Sequence, residues 1–100
     1  MENTKETLIE GQKPFYVGAI DIGTNSIHLL IASIDPVLNT FTIDLAEKST
    51  TRLGERDPDT GDLTADSIER SLETLKRFKV LAESYRVKDI VSAATSAVRE

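Results

Sequence analysis

A short polar turn lies between two apolar runs near the start of the chain. The turn is Gly23-Thr24-Asn25-Ser26, and Asp21 stands at its mouth. Small hydroxyls, an amide and successive backbone N–H groups can surround the oxygens of a phosphate group. Gly23 lets the backbone approach that group closely, and Asp21 can hold a divalent cation through water. This pattern, which predicts a phosphate-binding turn beside a metal-binding carboxylate, is the strongest chemical signal in the sequence.

A purely structural interpretation of the same turn stays open. Asp and Asn side chains routinely bond to the amides of their own turn, and Asp21 and Asn25 would then do no more than cap it. Two other phosphate motifs are absent, because no Gly-x-Gly-x-x-Gly follows a strand and there is no Gly-x-x-x-x-Gly-Lys-[Ser/Thr]. The sequence therefore supports neither a Rossmann nor a P-loop interpretation.

Two further groups of residues have the chemistry to meet an anion. Thr95, Ser96 and Arg99 follow a predicted strand at a predicted helix start, where N–H groups are unpaired and a guanidinium can grip phosphate. The simpler interpretation there is an N-cap beside a solvated Arg. Arg52 follows another strand, where a surface charge is the simpler interpretation. We interpret His28 as a hydrogen-bonded structural residue, because no second His, Cys or matched acid lies near it in sequence.

Composition limits the classes of protein to consider. The 100 residues carry 17 acidic and 12 basic side chains, a net charge of −5. Such a chain is not expected to bind nucleic acid or a membrane surface in general, since either needs a basic face. The absence of cysteine excludes disulfides and thiolate metal sites. With no signal-peptide pattern and no apolar run near the roughly 20 residues that span a bilayer, we expect a cytoplasmic protein.

The hydrophobic pattern predicts the elements that must position these residues. They are a flexible tail over 1–14, strands over 15–22, 26–34 and 40–49, a loop to residue 63, a helix over 65–85 and a strand over 87–94. Hairpin-like early connections and a later helical crossover predict an α/β domain with a mixed sheet, in which two strands are parallel across the helix. Because the chain stops just after a strand, we expect it to be the N-terminal piece of a longer protein.

Periodicity predicts which faces are buried. In the third strand Phe41, Ile43 and Leu45 alternate with polar or small residues, which is typical of one half-exposed face. The helix is predicted to begin after an N-cap at Thr64. Its predicted apolar face consists of Ile68, Leu72, Leu75, Phe78 and Ala82. Its predicted solvated residues are Glu69, Arg70, Glu73, Lys76, Arg77 and Lys79.

Taken together, these residues resemble the N-terminal part of the exopolyphosphatase and guanosine pentaphosphate phosphohydrolase (Ppx/GppA phosphatase) family. The matching segments are A-I-D-I-G-T-N-S-I-H-L-L at 19–30, T-R-L-G at 51–54, L-T-A-D-S-I-E-R at 63–70 and A-T-S-A-V-R-E at 94–100. Asp-x-Gly-[Ser/Thr]-Asn-Ser followed by Ala-Thr-x-x-x-Arg is fairly specific. Asp-x-Gly alone would indicate only the larger actin-like superfamily.

The resemblance implies a ribonuclease-H-like α/β domain of the actin-like ATPase superfamily, of which residues 15–100 are the first part of the N-terminal phosphatase lobe. It implies hydrolysis of a terminal phosphoanhydride in inorganic polyphosphate, or of the 5′ γ-phosphate of guanosine pentaphosphate, usually with Mg²⁺ and often in a homodimer. Residues 21–26 would form the first phosphate loop, and Asp21 would also lie near the metal. The residues implied to line the polyanion path are Arg52, Thr95, Ser96 and Arg99.

The resemblance also implies what this chain lacks. In the family the general base is a Glu downstream of residue 100, and a second, Gly-rich phosphate loop lies further on. We therefore expect residues 1–100 to carry phosphate donors but no base, and to be inactive alone. Two alternatives stay open. The first is an actin-like ATPase or a sugar or acetate kinase lobe, although Asn25-Ser26 and the Thr-x-x-x-Arg ending argue against it. The second is a non-catalytic fragment with a binding or interaction role.

Overall fold

The computed structural model describes residues 9–94 of the chain. Its strands are β1 (Phe15–Ile22), β2 (Ser26–Asp35), β3 (Thr40–Thr50) and β4 (Asp89–Ala94). Helix α1 (Ala65–Ser84) connects β3 to β4. These bounds confirm the predicted order of strand, strand, strand, helix and strand, and each differs from its predicted bound by no more than a residue or two.

The strands form one mixed sheet in the order β3-β2-β1-β4. β1 and β2 are antiparallel, as are β2 and β3, whereas β1 and β4 are parallel. A parallel pair requires a crossover, and α1 supplies it by returning the chain from the β3 edge to the β4 edge. The predicted mixed sheet is thus confirmed, and the first and last strands run in the same direction side by side.

Helix α1 begins where the sequence predicted. The side chain of Thr64, the N-cap, accepts a hydrogen bond from the backbone N–H of Ser67 across 3.1 Å. Asp66 lies in the first turn, where the helix dipole favours a negative charge. The helix ends at Ser84, and Tyr85 closes it by donating to the Ala82 carbonyl.

The core lies between α1 and one face of the sheet. Its buried apolar residues are Ile20, Ile27, Leu29, Ile31, Phe78 and Ala82. The β2 members of this set occupy every second position, because side chains on a strand alternate between the two faces. Burial of these side chains contributes roughly 1.5–3 kcal/mol each for the large ones, which is the main force that holds the helix on the sheet.

The inward face of α1 differs from the predicted one. Ile68 and Leu72 are 40% and 52% exposed, while Ser67, Ser71 and Thr74 are buried. The hydroxyl of Ser71 donates to the backbone carbonyl of Ser67 across 2.8 Å, so its burial leaves no polar group unpaired. The prediction for the first half of the helix was wrong because small hydroxyl residues that bond to the helix itself can face inward, and a pattern of large apolar residues does not reveal them.

A bulge in β3 also changes a predicted face. Between two successive residues of β2, Ile31 and Ala32, the partners on β3 change from Leu45 to Ile43, so Asp44 is an extra residue in the ladder. An extra residue reverses the side of the sheet on which the following side chains lie. Leu45 therefore shares the helix side with Ile31, whereas Ile43 lies on the opposite side. The predicted single face was wrong at this point.

The side of the sheet away from α1, which we call the open face, is apolar at its centre. Ile43 and Phe41 of β3 lie there with Leu30 of β2, and Phe41 is 70% exposed. Among residues 9–94 no helix covers this face.

The remaining described segments are short. In the predicted loop, the Asp57 carboxylate accepts the backbone N–H of Asp59 across 2.7 Å, which is ordinary turn chemistry. Residues Glu10–Gln12 form a 3-10 helix, whereas residues 1–8 of the predicted tail lie outside the described part. Within the described part of the chain, no helix is long and apolar enough to cross a membrane.

Candidate functional site

The turn between β1 and β2 is closed by its own backbone. The N–H of Gly23 donates to the carbonyl of Ser26 across 2.9 Å. This amide is therefore engaged within the turn, so it is not one of the free donors that the sequence predicted. Asn25 is exposed and Thr24 is half-buried, whereas Ser26 is only 7% exposed. The side chains of Asn25 and Thr24 are thus the ones most accessible to a ligand.

A second segment, Thr51–Gly54, lies against this turn and is bonded to it. The backbone N–H groups of Thr51 and Arg52 both donate to the Asn25 carbonyl at 3.0 Å, and the N–H of Gly54 donates to the Thr24 carbonyl at 2.7 Å. The sequence had presented these segments as separate candidates. The fold brings them together because β3 runs antiparallel to β2 and ends where β2 begins.

These bonds fix the orientation of the turn's peptide groups. Every peptide bond in residues 9–94 is trans, and in a trans peptide the C=O and N–H point in opposite directions. Since the Thr24 carbonyl points at Gly54, the N–H of Asn25 points away from the Thr51–Gly54 segment. The turn therefore directs one backbone donor, the N–H of Asn25, away from that segment.

Two backbone features show how closely the segments fit. A Cβ atom on Gly54 would overlap the Cγ2 atom of Thr24, so only glycine fits there without a shift. Arg52 has a φ of 51°, a left-handed conformation that costs a non-glycine residue on the order of 1–2 kcal/mol. The bonds from this segment to the turn compensate for that cost. Arg52 is exposed, so its guanidinium is free to reach a ligand at the turn.

Arg70 of helix α1 contacts this segment and the residue that follows it, Glu55. The Nε atom of Arg70 donates to the carbonyl of Thr51 across 2.9 Å, and its Nη2 atom lies 3.6 Å from the Oε1 atom of Glu55. That Oε1 atom also accepts the hydroxyl of Thr64 at 3.3 Å. The sequence had placed Arg70 among the solvated helix residues, and this interpretation was wrong. Helical spacing alone gave no signal of its partner, which lies in a preceding loop.

Asp21 lies on the open face near the end of β1. In the sheet, Asp21 pairs with His28 on β2 and with Ala93 on β4. His28 in turn pairs with Lys48 on β3. Asp21 and His28 are both exposed, so His28 is not a core residue. Within residues 9–94 no group of three or more His, Asp or Glu side chains is placed to hold a metal ion. Asp21 is thus an exposed carboxylate outside any such group.

The third predicted group lies outside the described residues. Thr95, Ser96 and Arg99 follow β4, whose last residue, Ala94, pairs in register with Ile22. Ile22 directly precedes the Gly23–Ser26 turn. The chain therefore leaves β4 at the end of the sheet that carries the turn. The site assignments of these three residues stay predictions.

Known proteins share this fold. The sequence profile of the Ppx/GppA phosphatase family matches residues 30–100. A crystal structure of the Aquifex aeolicus Ppx/GppA family member superposes with a TM-score of 0.80 at 34% identity and covers 87% of this chain. An exopolyphosphatase from Cytophaga hutchinsonii gives 0.75 at 38% identity over 84% of the chain. These matches confirm the fold class.

Two curated relatives extend the comparison. The bifunctional 3-dehydroquinate synthase/phosphatase of Fusobacterium nucleatum is 34% identical over 91 residues, which is 86% of this chain. Exopolyphosphatase 1 of Mycobacterium leprae is 29% identical over 85 residues, or 84% of the chain. The chain spans only 14% and 24% of these two proteins, and 28% and 26% of the two solved chains. The profile match and the shared fold lead to one conclusion: this chain belongs to the Ppx/GppA phosphatase family.

Proposed function

We propose that the complete protein carrying this chain is an exopolyphosphatase-type hydrolase, which releases the terminal phosphate of inorganic polyphosphate. Residues 1–100 supply its first phosphate-binding loop. The observation that carries the proposal is the backbone bonding between the Gly23–Ser26 turn and the Thr51–Gly54 segment. That bonding places the exposed Arg52 next to a turn whose residues can donate hydrogen bonds to phosphate. The proposed activity is also the one in the names of two similar proteins, which are called exopolyphosphatases.

The described residues have distinct tasks in this proposal. The side chain of Asn25 and the backbone N–H of the same residue donate to the oxygens of one phosphate group, with the hydroxyl of Thr24 beside them. The guanidinium of Arg52 neutralises charge on that group or on the next phosphate of the chain. Phosphoryl transfer depends mainly on positioning and on charge stabilisation, so residues that only bind and orient contribute directly to the rate.

We also propose a divalent cation, Mg²⁺, with Asp21 as its protein ligand from this chain. One exposed carboxylate beside a phosphate site fits an ion that is commonly held by one or two carboxylates and by substrate phosphates. The cation, when bound, would neutralise phosphate oxygens. The general base is not assigned to any residue of this chain, and Glu100 is not proposed for it.

Further parts of the proposal rest on the family resemblance. Guanosine pentaphosphate is the second substrate to consider, since its 5′ γ-phosphate ends in the same phosphoanhydride. Thr95, Ser96 and Arg99 are proposed to join the polyanion path at the end of β4. A homodimer in the cytoplasm is the proposed state of the complete protein.

The test is phosphate release from long-chain polyphosphate with Mg²⁺, using the complete natural polypeptide and the 1–100 chain side by side. The Arg52→Met variant of the complete polypeptide should lose roughly tenfold to a hundredfold in kcat/KM, since a charge-assisted bond contributes about 1.5–3 kcal/mol. Arg56→Met is the matched control, because Arg56 is an exposed arginine of the same loop whose backbone bridges to Leu63. It should retain wild-type activity.

Three results would contradict the proposal. Phosphate release by residues 1–100 alone would show that a general base lies within them. No release from either polyphosphate or guanosine pentaphosphate by the complete protein would favour the kinase-like or the binding interpretation. Equal loss in both arginine variants would show that the effect is one of overall charge and not of the site.

A further inference from the structure

We propose that Arg70 is a positioning residue, which holds the Thr51–Gly54 segment from helix α1 and thereby sets Arg52 and the Gly23–Ser26 turn at the separation that one phosphate group requires. The inference rests on the proposed function for its catalytic consequence. Its structural part stands on contacts between described residues.

The first step is the anchoring of the segment by the helix. Arg70 reaches back along the chain, and its Nε atom donates to the Thr51 carbonyl at 2.9 Å. Thr51 is only 1% exposed and the Arg70 side chain is 33% exposed, so this bond is partly shielded from water. A charge-assisted bond is stronger there than at an open surface. The bond therefore joins a rigid element to the first residue of the segment.

The second step is the transmission of that position to the turn. Thr51 and its neighbour Arg52 share one acceptor, the Asn25 carbonyl, and Gly54 bonds to Thr24. The Thr51 carbonyl that Arg70 holds belongs to the peptide whose N–H comes from Arg52. Arg70 and Asn25 thus bind the two opposite sides of a single rigid peptide group. A shift of Arg70 would rotate that peptide and move the Arg52 backbone away from its left-handed conformation.

The third step explains why the residue is an arginine. The Nη2 atom is buried and, among the described residues, has no hydrogen-bond acceptor, while Glu55 Oε1 lies 3.6 Å from it. The guanidinium thus donates a hydrogen bond to Thr51 through Nε and lies within ion-pair distance of Glu55 through Nη2. A lysine has a single nitrogen on a flexible stem and cannot hold both partners in this fork geometry. The carboxylate of Glu55 also accepts a hydrogen bond from the N-cap hydroxyl of Thr64, which helps to fix the position of Glu55 beside Arg70.

A nearby arginine shows the contrast with an ordinary helix residue. Arg77 lies on the same helix, is exposed, and its Nη2 atom donates to the hydroxyl of Ser49 at the longer distance of 3.4 Å. It contacts neither the turn nor the Thr51–Gly54 segment by any hydrogen bond found in residues 9–94. Arg77 is therefore the matched control for a substitution at Arg70.

The experiment compares Arg70→Met, Arg70→Lys and Arg77→Met in the complete natural polypeptide. Hydrogen exchange followed by mass spectrometry on peptides covering residues 50–56 reports the segment without any substrate. Exchange should be on the order of tenfold to a hundredfold faster in Arg70→Met, intermediate in Arg70→Lys and unchanged in Arg77→Met. The KM for polyphosphate should be higher in Arg70→Met than in the wild type, and it should have an intermediate value in Arg70→Lys.

The outcomes separate this inference from the proposed function. Unchanged exchange over residues 50–56 in Arg70→Met overturns it, as does an activity loss that Arg77→Met reproduces. If Arg70→Met fails to fold, Arg70→Lys and Glu55→Gln carry the same test, since each weakens one arm of the fork. If the wild-type protein releases no phosphate, the proposed function fails, and the exchange result alone decides whether Arg70 fixes the segment.

Discussion

The amide of Gly54 donates to the carbonyl of Thr24 across 2.7 Å, and the same glycine leaves no room for a side chain against the Thr24 methyl group. This contact joins the two segments that the candidate site needs. The turn proposed to bind phosphate is therefore held by residues well separated from it in sequence. The geometry of the candidate site thus depends on the packing of β2, β3 and the loop that follows.

Gly54→Ala should separate the two segments. The added methyl group overlaps the Cγ2 atom of Thr24, so either the Thr24 side chain or the backbone must move, at a cost on the order of 1–3 kcal/mol. Gly18→Ala is the control, because a Cβ there would meet its nearest neighbour, Ile90, at an ordinary 3.6 Å. Urea unfolding of the complete protein should show a lowered midpoint only in Gly54→Ala. Equal midpoints for the two variants would show that Gly54 is not tightly packed.

Ser71→Leu and Leu72→Ser test which face of α1 is buried. Ser71 is buried and its hydroxyl is bonded within the helix, so a leucine there should overpack the interface and destabilise the protein by about 1–3 kcal/mol. Leu72 is 52% exposed, so its replacement by serine should cost less than about 1 kcal/mol within the described packing. Thermal unfolding distinguishes the two. A larger loss of stability in Leu72→Ser than in Ser71→Leu would show that Leu72 is buried, as the periodicity predicted.

Asp21→Asn should weaken the response to Mg²⁺. If Asp21 is the carboxylate that this chain gives to the cation, its neutral amide should raise the Mg²⁺ concentration for half-maximal phosphate release by about tenfold or more. Asp44→Asn serves as the control, since Asp44 is an exposed carboxylate at the β3 bulge. A Mg²⁺ titration of phosphate release from polyphosphate measures both. An unchanged requirement in Asp21→Asn would remove Asp21 from the metal assignment.

Local patterns were enough to predict the elements of this protein. The apolar runs on either side of the Gly23–Ser26 turn predicted β1 and β2, and Thr64 predicted the start of α1; all three are confirmed. The motifs at 19–30 and 94–100 indicated the family, which the profile match confirms. These features depend on neighbours in the sequence, namely strand alternation, turn residues and capping, so they can be read without the fold.

Tertiary structure alone decided how those elements meet. The bulge at Asp44 placed Ile43 on the open face, and the inward position of Ser71 displaced Leu72 from the core. The same packing joined Arg70 to Thr51. Each of these depends on the register of one element against another, and that register follows from the combined packing of the whole sheet and helix. The sequence by itself determined the strands, the turn and the family, whereas the contacts that hold Arg52 beside the turn came only with the fold.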